Sequence, residues 1–401
     1  MIRTHLGLGF VLATMIGCTS DGEEKETGDT GFVTTTSETG STTSGTSTGT
    51  TTSGGTTTTG TGTTTTGTGT TTTGTGTTTT GTGTTTGTTS GIQRPPAPED
   101  LEVLFDRART QATQSFTLDG KRGGEIEGEE GTSVLFYQNA FLHSDGSVVE
   151  GDVNIELIEA YHKADMVLVD VPTNGINGVG EVEALISGGE IYLNASQAGE
   201  PLELSRSVWV QMPTENTGGT DTSMGIFTLE GEVDGPDAIA DREVWVEEEP
   251  EGEAGRLGFG LDPDATGVGA GEQYQFLTNH LGWTNIDRWY NDPRPKTSIE
   301  VDVPDGWDET NCMVYLSYDG ENGLARFDMY NSVTELFSEH YGLIPIGLDV
   351  HVIFLTESDG MWSYAIKGET IVDDHQTNFD DPSTFLETDE AGLLAVLSAL
   401  P

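Results

Sequence analysis

Gly151-Asp152-Val153-Asn154-Ile155-Glu156-Leu157 is the stretch that decides the fold class. Val153, Ile155 and Leu157 alternate with polar residues, so an extended chain here puts its aliphatic side chains on one face and leaves the other wet. The same period of two returns in Val182, Ala184 and Ile186, and in Val208, Val210 and Met212. Ser133 to Tyr137, Ile191 to Ala195, Ile226-Phe227 and Val244-Trp245-Val246 add β-rich runs. Turn signals punctuate them: Gly123-Gly124, Asp145-Gly146, Gly151-Asp152, Asn174-Gly175, Gly188-Gly189 and Gly218-Gly219. Short strands at this spacing predict an antiparallel β-sandwich over residues 92 to 250.

Working outward, residues 251 to 271 are acidic and glycine-rich with few large apolar side chains, which reads as a linker. A second β-sandwich is expected from 272 to 401, with strands at Tyr274 to Leu277, Ser298 to Val303, Cys312 to Tyr318, Ala325 to Tyr330, Val350 to Thr356 and Met361 to Ile366. Asp319-Gly320-Glu321-Asn322-Gly323 and Ser358-Asp359-Gly360 are its hairpin candidates. Two helices flank this all-β body. Leu101, Leu104, Phe105 and Ala108 recur at helical spacing after the Pro95-Pro96-Ala97-Pro98 collar, and Leu393, Leu394, Val396, Leu397 and Leu400 suggest a docked helix at the end.

Ahead of the body, every residue from Thr39 to Gly91 is Thr, Gly or Ser, and Thr56 to Gly87 repeats Thr-Thr-Thr-Thr-Gly-Thr-Gly. A heptad without apolar positions makes no coiled coil, and such a composition has no core to offset the entropy of ordering. Residues 18 to 91 are therefore expected to be a disordered tether. The chain of 401 residues holds 16 Lys and Arg against 66 Asp and Glu, a formal net charge of -50. Only six of those acids and two of the bases precede Ile92, so the body is strongly acidic. Its field repels nucleic acid and anionic lipid, which argues against both as partners, and leaves solubility or multivalent cation binding as its uses.

Residues 1 to 17 have the layout of a signal peptide: Arg3, an apolar core from Leu6 to Ile16, then Met15-Ile16-Gly17-Cys18. The ending resembles the lipobox of bacterial lipoproteins. That resemblance implies a diacylglyceryl thioether on Cys18, cleavage before it, and attachment to the membrane through the Cys18 lipid. Thr19, where aspartate would signal inner-membrane retention, implies an outer-membrane lipoprotein of a Gram-negative bacterium. Cys312 is the remaining thiol, so an intrachain disulfide is not expected once Cys18 is lipidated; its strand-like setting reads as a buried, inert cysteine.

Gly131-Thr132-Ser133-Val134-Leu135-Phe136, Ala140-Phe141 and Asp145-Gly146-Ser147-Val148-Val149-Glu150-Gly151-Asp152-Val153-Asn154-Ile155-Glu156-Leu157 are similar to a pattern in uncharacterised cell-surface lipoproteins of Gram-negative bacteria. Asp165-Met166, Ser187-Gly188-Gly189-Glu190-Ile191-Tyr192-Leu193-Asn194-Ala195 and Leu281 to Tyr290 continue it. The first half more distantly resembles the β-sandwich of zonula occludens proteins and netrin receptors. Some members of that class cleave themselves at a His-Phe-Ser step, but Phe141-Leu142-His143-Ser144 departs from it, and His143-Ser144-Asp145-Gly146 reads as a turn.

No H-E-x-x-H, G-x-S-x-G, P-loop or C-x-x-C occurs, which removes the strong local signals for zinc, serine-hydrolase, NTPase and redox chemistry. No cofactor is expected beyond weak Ca2+. Asp262-Pro263-Asp264-Ala265-Thr266-Gly267 begins like a calcium loop, making Asp262, Asp264 and Thr266 candidate ligands, but the twelfth position is Gln273. Trp283, Trp289 and Tyr290 form an aromatic segment that suits either a buried interface between the sandwiches or a stacking platform for a surface protein or glycan. The expectation is a non-catalytic binding or structural module held off the outer membrane. The alternative is an extracellular glycosidase-like hydrolase using two convergent carboxylates, which needs a cleft and one raised pKa.

Overall fold

The computed structural model describes residues 94–232, 243–249, 255–261, 271–339 and 342–401. The signal peptide, Cys18, the Thr/Gly/Ser tract and the calcium candidates Asp262, Asp264 and Thr266 lie outside the described residues.

The described residues form an all-β body with three α-helices. Val182–Gln197 is its axis: a 16-residue strand in an eight-stranded sheet ordered Gln114–Asp119, Asp152–Ala160, Val182–Gln197, Gly282–Trp289, Gly225–Glu232, Glu243–Glu247 and Asn174–Ile176, with Glu200–Pro201 pairing off the long strand. Asn174–Ile176 also pairs with the long strand, so this end of the sheet closes on itself. A five-stranded sheet, Gly258–Leu261, Glu272–Thr278, Val208–Pro213, Ser133–Phe136 and Gly124–Glu127, supplies the partner layer. Val153, Ile155 and Leu157, the residues of the opening alternation, are fully buried in the core of this sandwich together with Val208, Val210 and Met212.

A second sandwich packs Met329–Asn331, Leu336–Ser338, Ile299–Asp302 and His375–Asn378 against Leu324–Arg326, Cys312–Tyr318, Asp349–Ser358, Met361–Thr370 and Leu386–Thr388. The expected hairpin at Ser358-Asp359-Gly360 is present: Asp359 and Gly360 take φ of 49° and 82°, the left-handed pair that matches the twist of a tight two-residue turn. Two pairings depart from the antiparallel expectation. Glu243–Glu247 lies parallel to Asn174–Ile176, and Ile299–Asp302 parallel to His375–Asn378.

The division into domains at 251–271 is corrected by the strand pairings. Glu272–Thr278 lies between Gly258–Leu261 and Val208–Pro213, and Gly282–Trp289 between the long strand and Gly225–Glu232. Both complete the first sandwich, and the sheets change over after Trp289. Low apolar content marked 251–271 as a break, yet Gly258–Leu261 within it is a paired edge strand whose backbone needs no large side chains.

All the described residues fall in one compact unit. Its joint is a third core in which α1 (Pro98–Ala112), α2 (Lys163–Val169) and α3 (Glu390–Leu397) pack between the sandwiches. Ile158, Ala160, Leu185, Phe227 and Trp245 enter this core from the first, and Tyr315, Leu324, Ile353, Leu355, Trp362 and Tyr364 from the second. The α1 stripe Leu101, Leu104, Phe105 and Ala108 is buried as its spacing implies, with the Phe105 ring edge-on to Trp362 at 5.0 Å. Asp389 caps α3 by accepting from the Gly392 amide at 2.9 Å, and Glu390 pairs with Arg107 of α1. α2 ends at Asp170, held in the left-handed region at φ 55°. The Asp170 carboxylate accepts from the Tyr315 hydroxyl at 2.7 Å and lies 3.3 Å from Arg326, so the end of α2 is bonded directly to the second sandwich. Main-chain bonds add to the weld: Thr173 N–H donates to Leu324 O at 2.7 Å, and Arg326 N–H to Asn174 Oδ1 at 2.7 Å.

Candidate functional site

The polar centre of the molecule is built by an interruption of the long strand. Gly188-Gly189 carries a turn signal, but the strand runs through it and the pairing register slips: Asn285 faces Glu190, while Asp287 faces Ser187. This is a β-bulge. Both glycines are required by close approach on the sandwich side. A Cβ on Gly188 would stand 2.9 Å from the Tyr274 ring, and one on Gly189, at φ 119°, 2.6 Å from the Tyr161 ring. The extra residue turns Ser187 and Glu190 to the opposite face, the face covered by the helical core, where Asn285 and Asp287 also point.

Ser187, Glu190, Asn285 and Asp287 are buried to within 1% of complete. The Ser187 hydroxyl donates to Asn285 Oδ1 at 2.8 Å and accepts from the Gly189 N–H at 3.0 Å. The Asn285 amide then spends its two hydrogens on the two acids, Nδ2 donating to Glu190 Oε1 at 2.9 Å and to Asp287 Oδ2 at 2.7 Å. Glu190 Oε2 and Asp287 Oδ1 are buried with no hydrogen-bond partner. Burial pushes both carboxyls well above the usual carboxylate range; Glu190 is raised further by Asp287 and by Asp165 of α2, while Ser187 opposes the shift of Asp287. Acids raised by folding stabilise the fold at low pH and lose that contribution as pH climbs through the range in which they ionise, unless another positive charge takes the place of the proton.

The guanidinium of Arg288, next in sequence to Asp287, is committed elsewhere. Arg288 Nε donates to Asp221 Oδ2 at 2.8 Å and Nη2 to Glu321 Oε2 at 3.2 Å, fastening the first sandwich to the 319–323 turn. From that turn Asn322 Nδ2 donates to Ser187 O and Tyr161 O, both at 2.9 Å. The turn therefore covers the polar centre from the side of the second sandwich.

Trp283 and Trp289 lie on the same strand as Asn285 and Asp287 and flank them on the same face. Both are partly buried on a strand of the first sheet and pack against the core that joins the sandwiches. Trp283 pairs across strands with Tyr192, ring centroids 5.4 Å apart. Trp289 packs on Phe227 at 5.5 Å and donates its indole N–H to Glu247 Oε2 at 3.0 Å. Tyr290 points the other way, stacked on Tyr318 at 5.2 Å, so Trp283, Trp289 and Tyr290 do not make one platform. The reason is strand alternation: adjacent residues of a strand face opposite sides.

Of the other singled-out residues, Cys312 is fully buried and burial pushes its thiol up, away from a reactive thiolate. In the acidic loop that follows Ile299–Asp302, Asp308 is used by its own turn, accepting from the Thr310 N–H at 2.9 Å and hydroxyl at 2.6 Å. Asp302 accepts from Asn378 Nδ2 at 3.1 Å. His143 N–H donates to Ser147 O at 2.9 Å and Gly146 N–H to His143 O at 2.8 Å, the turn expected there. No group of three or more His, Cys, Asp or Glu side chains that could hold a metal occurs among the described residues. No family model matches the chain, and no curated protein matches it.

Ser187, Glu190, Asn285 and Asp287 carry no catalytic or metal motif, and Ser187 and Glu190 enter the sequence analysis only as part of the lipoprotein-like pattern, not as site candidates. The available signal was polar residues placed between Trp283 and Trp289 in an otherwise strand-like run. Its partner, Ser187-Gly188-Gly189-Glu190, was masked by the turn character of two glycines.

Proposed function

We propose that the chain is a cell-surface lipoprotein, anchored through Cys18, whose body is a non-catalytic binding or structural module. The observation that carries the non-catalytic reading is the sealing of Glu190 and Asp287, both 0% exposed. A general acid or base must come within hydrogen-bond reach of the proton it moves. The glycosidase-like alternative needs two close carboxylates in an open cleft, and Glu190 and Asp287, a close pair with raised pKa values, do not meet that requirement because both are buried.

Support for a binding role comes from the partly exposed Tyr192 and Trp283 pair, two tilted rings on an acidic body and of a chemistry suited to a glycan or a surface protein. The collar supports the tether reading, because Pro95 packs against Gly306 and so fixes where the Thr/Gly/Ser tract meets the body. No described helix is long and apolar enough to cross a membrane, so the lipid on Cys18 is the anchor this reading relies on.

One experiment with two arms tests the proposal. Cys18→Ala should move the protein out of the membrane fraction; continued full membrane association would refute the anchor. Adding Trp283→Ala to the released protein should abolish retention on a glycan or peptide array while the fold persists. Unchanged retention would remove the aromatic pair as the contact surface.

A further inference from the structure

We propose that Glu190 and Asp287 form a buried site for one hard cation of the Ca2+ class, enclosed beneath α2 and the 319–323 turn. Each acid has one oxygen bonded to the Asn285 amide and one, Glu190 Oε2 and Asp287 Oδ1, that is buried without a partner. Buried charges persist in proteins when they are paired or coordinate a metal, and a buried unsatisfied oxygen points to a water or an ion. Neither Arg288 nor Lys163 fills the role. Arg288 serves Asp221 and Glu321, and the Lys163 ammonium donates to Tyr318 O at 2.9 Å and Pro401 O at 2.7 Å.

The chemistry of the donors selects the ion. They are oxygens only, with no sulfur or imidazole in the cluster, which favours Ca2+ over zinc or copper. Two carboxylates match its charge, and main-chain carbonyls and enclosed water are the usual completion of such a shell. The Asn285 amide holds both acids in register from the opposite side, and Ser187 orients that amide by donating to Oδ1. The bulge at Gly188-Gly189 is what lets Ser187 and Glu190 face Asn285 and Asp287 together. Asp165 of α2 lies close enough to Glu190 to raise its carboxyl further, which adds to the acidic character of the site.

The inference does not depend on the lipoprotein reading, and its test reads out separately. Mature chain carrying Cys18→Ala is melted in chelator and in millimolar CaCl2. Ca2+ should raise the midpoint by several degrees, since a ligand that binds only the folded form stabilises it by mass action. Glu190→Gln and Asp287→Asn should each abolish that shift, whereas an Asp262→Asn, Asp264→Asn double variant should retain it. Terbium, excited through the protein's tryptophans, should bind the wild type at one site per chain and at least tenfold more weakly in either single variant. This measurement carries the test if a variant folds poorly. Absence of both the Ca2+ shift and the terbium signal overturns the proposal, as does a shift that survives in Glu190→Gln or disappears only in the Asp262 and Asp264 variant. A midpoint indifferent to Ca2+ that rises as pH falls from 7 to 5 also overturns it, because protons would then neutralise the pair.

Discussion

Trp245→Ala is expected to cost about 3 to 5 kcal/mol, the range for truncating a large buried aromatic side chain. Trp245 is 0% exposed and contributes to the core that joins the two sandwiches. Its removal leaves a cavity in that core that main-chain pairing on both sides, to Leu229 and to Gly175, prevents from collapsing. It also orphans a carbonyl, because the indole N–H donates to Pro172 O at 2.9 Å. Chemical denaturation should show the loss as a lower midpoint with little change in slope. A cost under about 1 kcal/mol would mean that the joint core does not bear on stability in this way.

Gly189→Ala is expected to be of similar size, about 2 to 5 kcal/mol, through two additive causes. The backbone at φ 119° is a conformation that a side chain strains, and the new methyl would stand 2.6 Å from the Tyr161 ring and 3.0 Å from Met212 Cε. Tyr161 has little room to yield, being fully buried with its hydroxyl 2.7 Å from that of Thr132. Because the bulge aims Ser187 and Glu190, the same substitution should weaken terbium binding. Equilibrium denaturation measures the first effect and luminescence the second. An unperturbed midpoint would show that the bulge relaxes freely.

The strands were legible because burial on one face leaves a period of two in the residues: Val153, Ile155 and Leu157 are all in the core, as their alternation implies. The N-terminal helix was legible for the same reason at a period of 3.6, and the C-terminal helix from its apolar density. α2 was not, because seven residues give barely two turns of pattern and its apolar side chains Ala164, Met166, Val167 and Val169 follow directly on a strand. The domain boundary was misplaced because composition reports what a segment buries, not what it pairs with. Glu272–Thr278 and Gly282–Trp289 have long-range partners that no local pattern encodes. At the polar centre, Asn285 and Asp287 stand as polar residues between two tryptophans, but the bond from Asn285 to Glu190 joins positions 95 residues apart, which no local pattern encodes. A double glycine inside a strand looks locally like a turn; the slip in pairing with Gly282–Trp289 shows it to be a bulge, and the close approach of Tyr161 and Tyr274 is why glycine is needed there.

The central structural claim is that two sandwiches share one core and form a single body. Differential scanning calorimetry of the mature chain carrying Cys18→Ala measures it directly. One unfolding transition is expected, with calorimetric and van't Hoff enthalpies in agreement, shifted as a whole by Trp245→Ala in the first sandwich and equally as a whole by Trp362→Ala in the second. Two separable transitions, each responding to only one of these substitutions, would contradict the shared core and restore two independent domains.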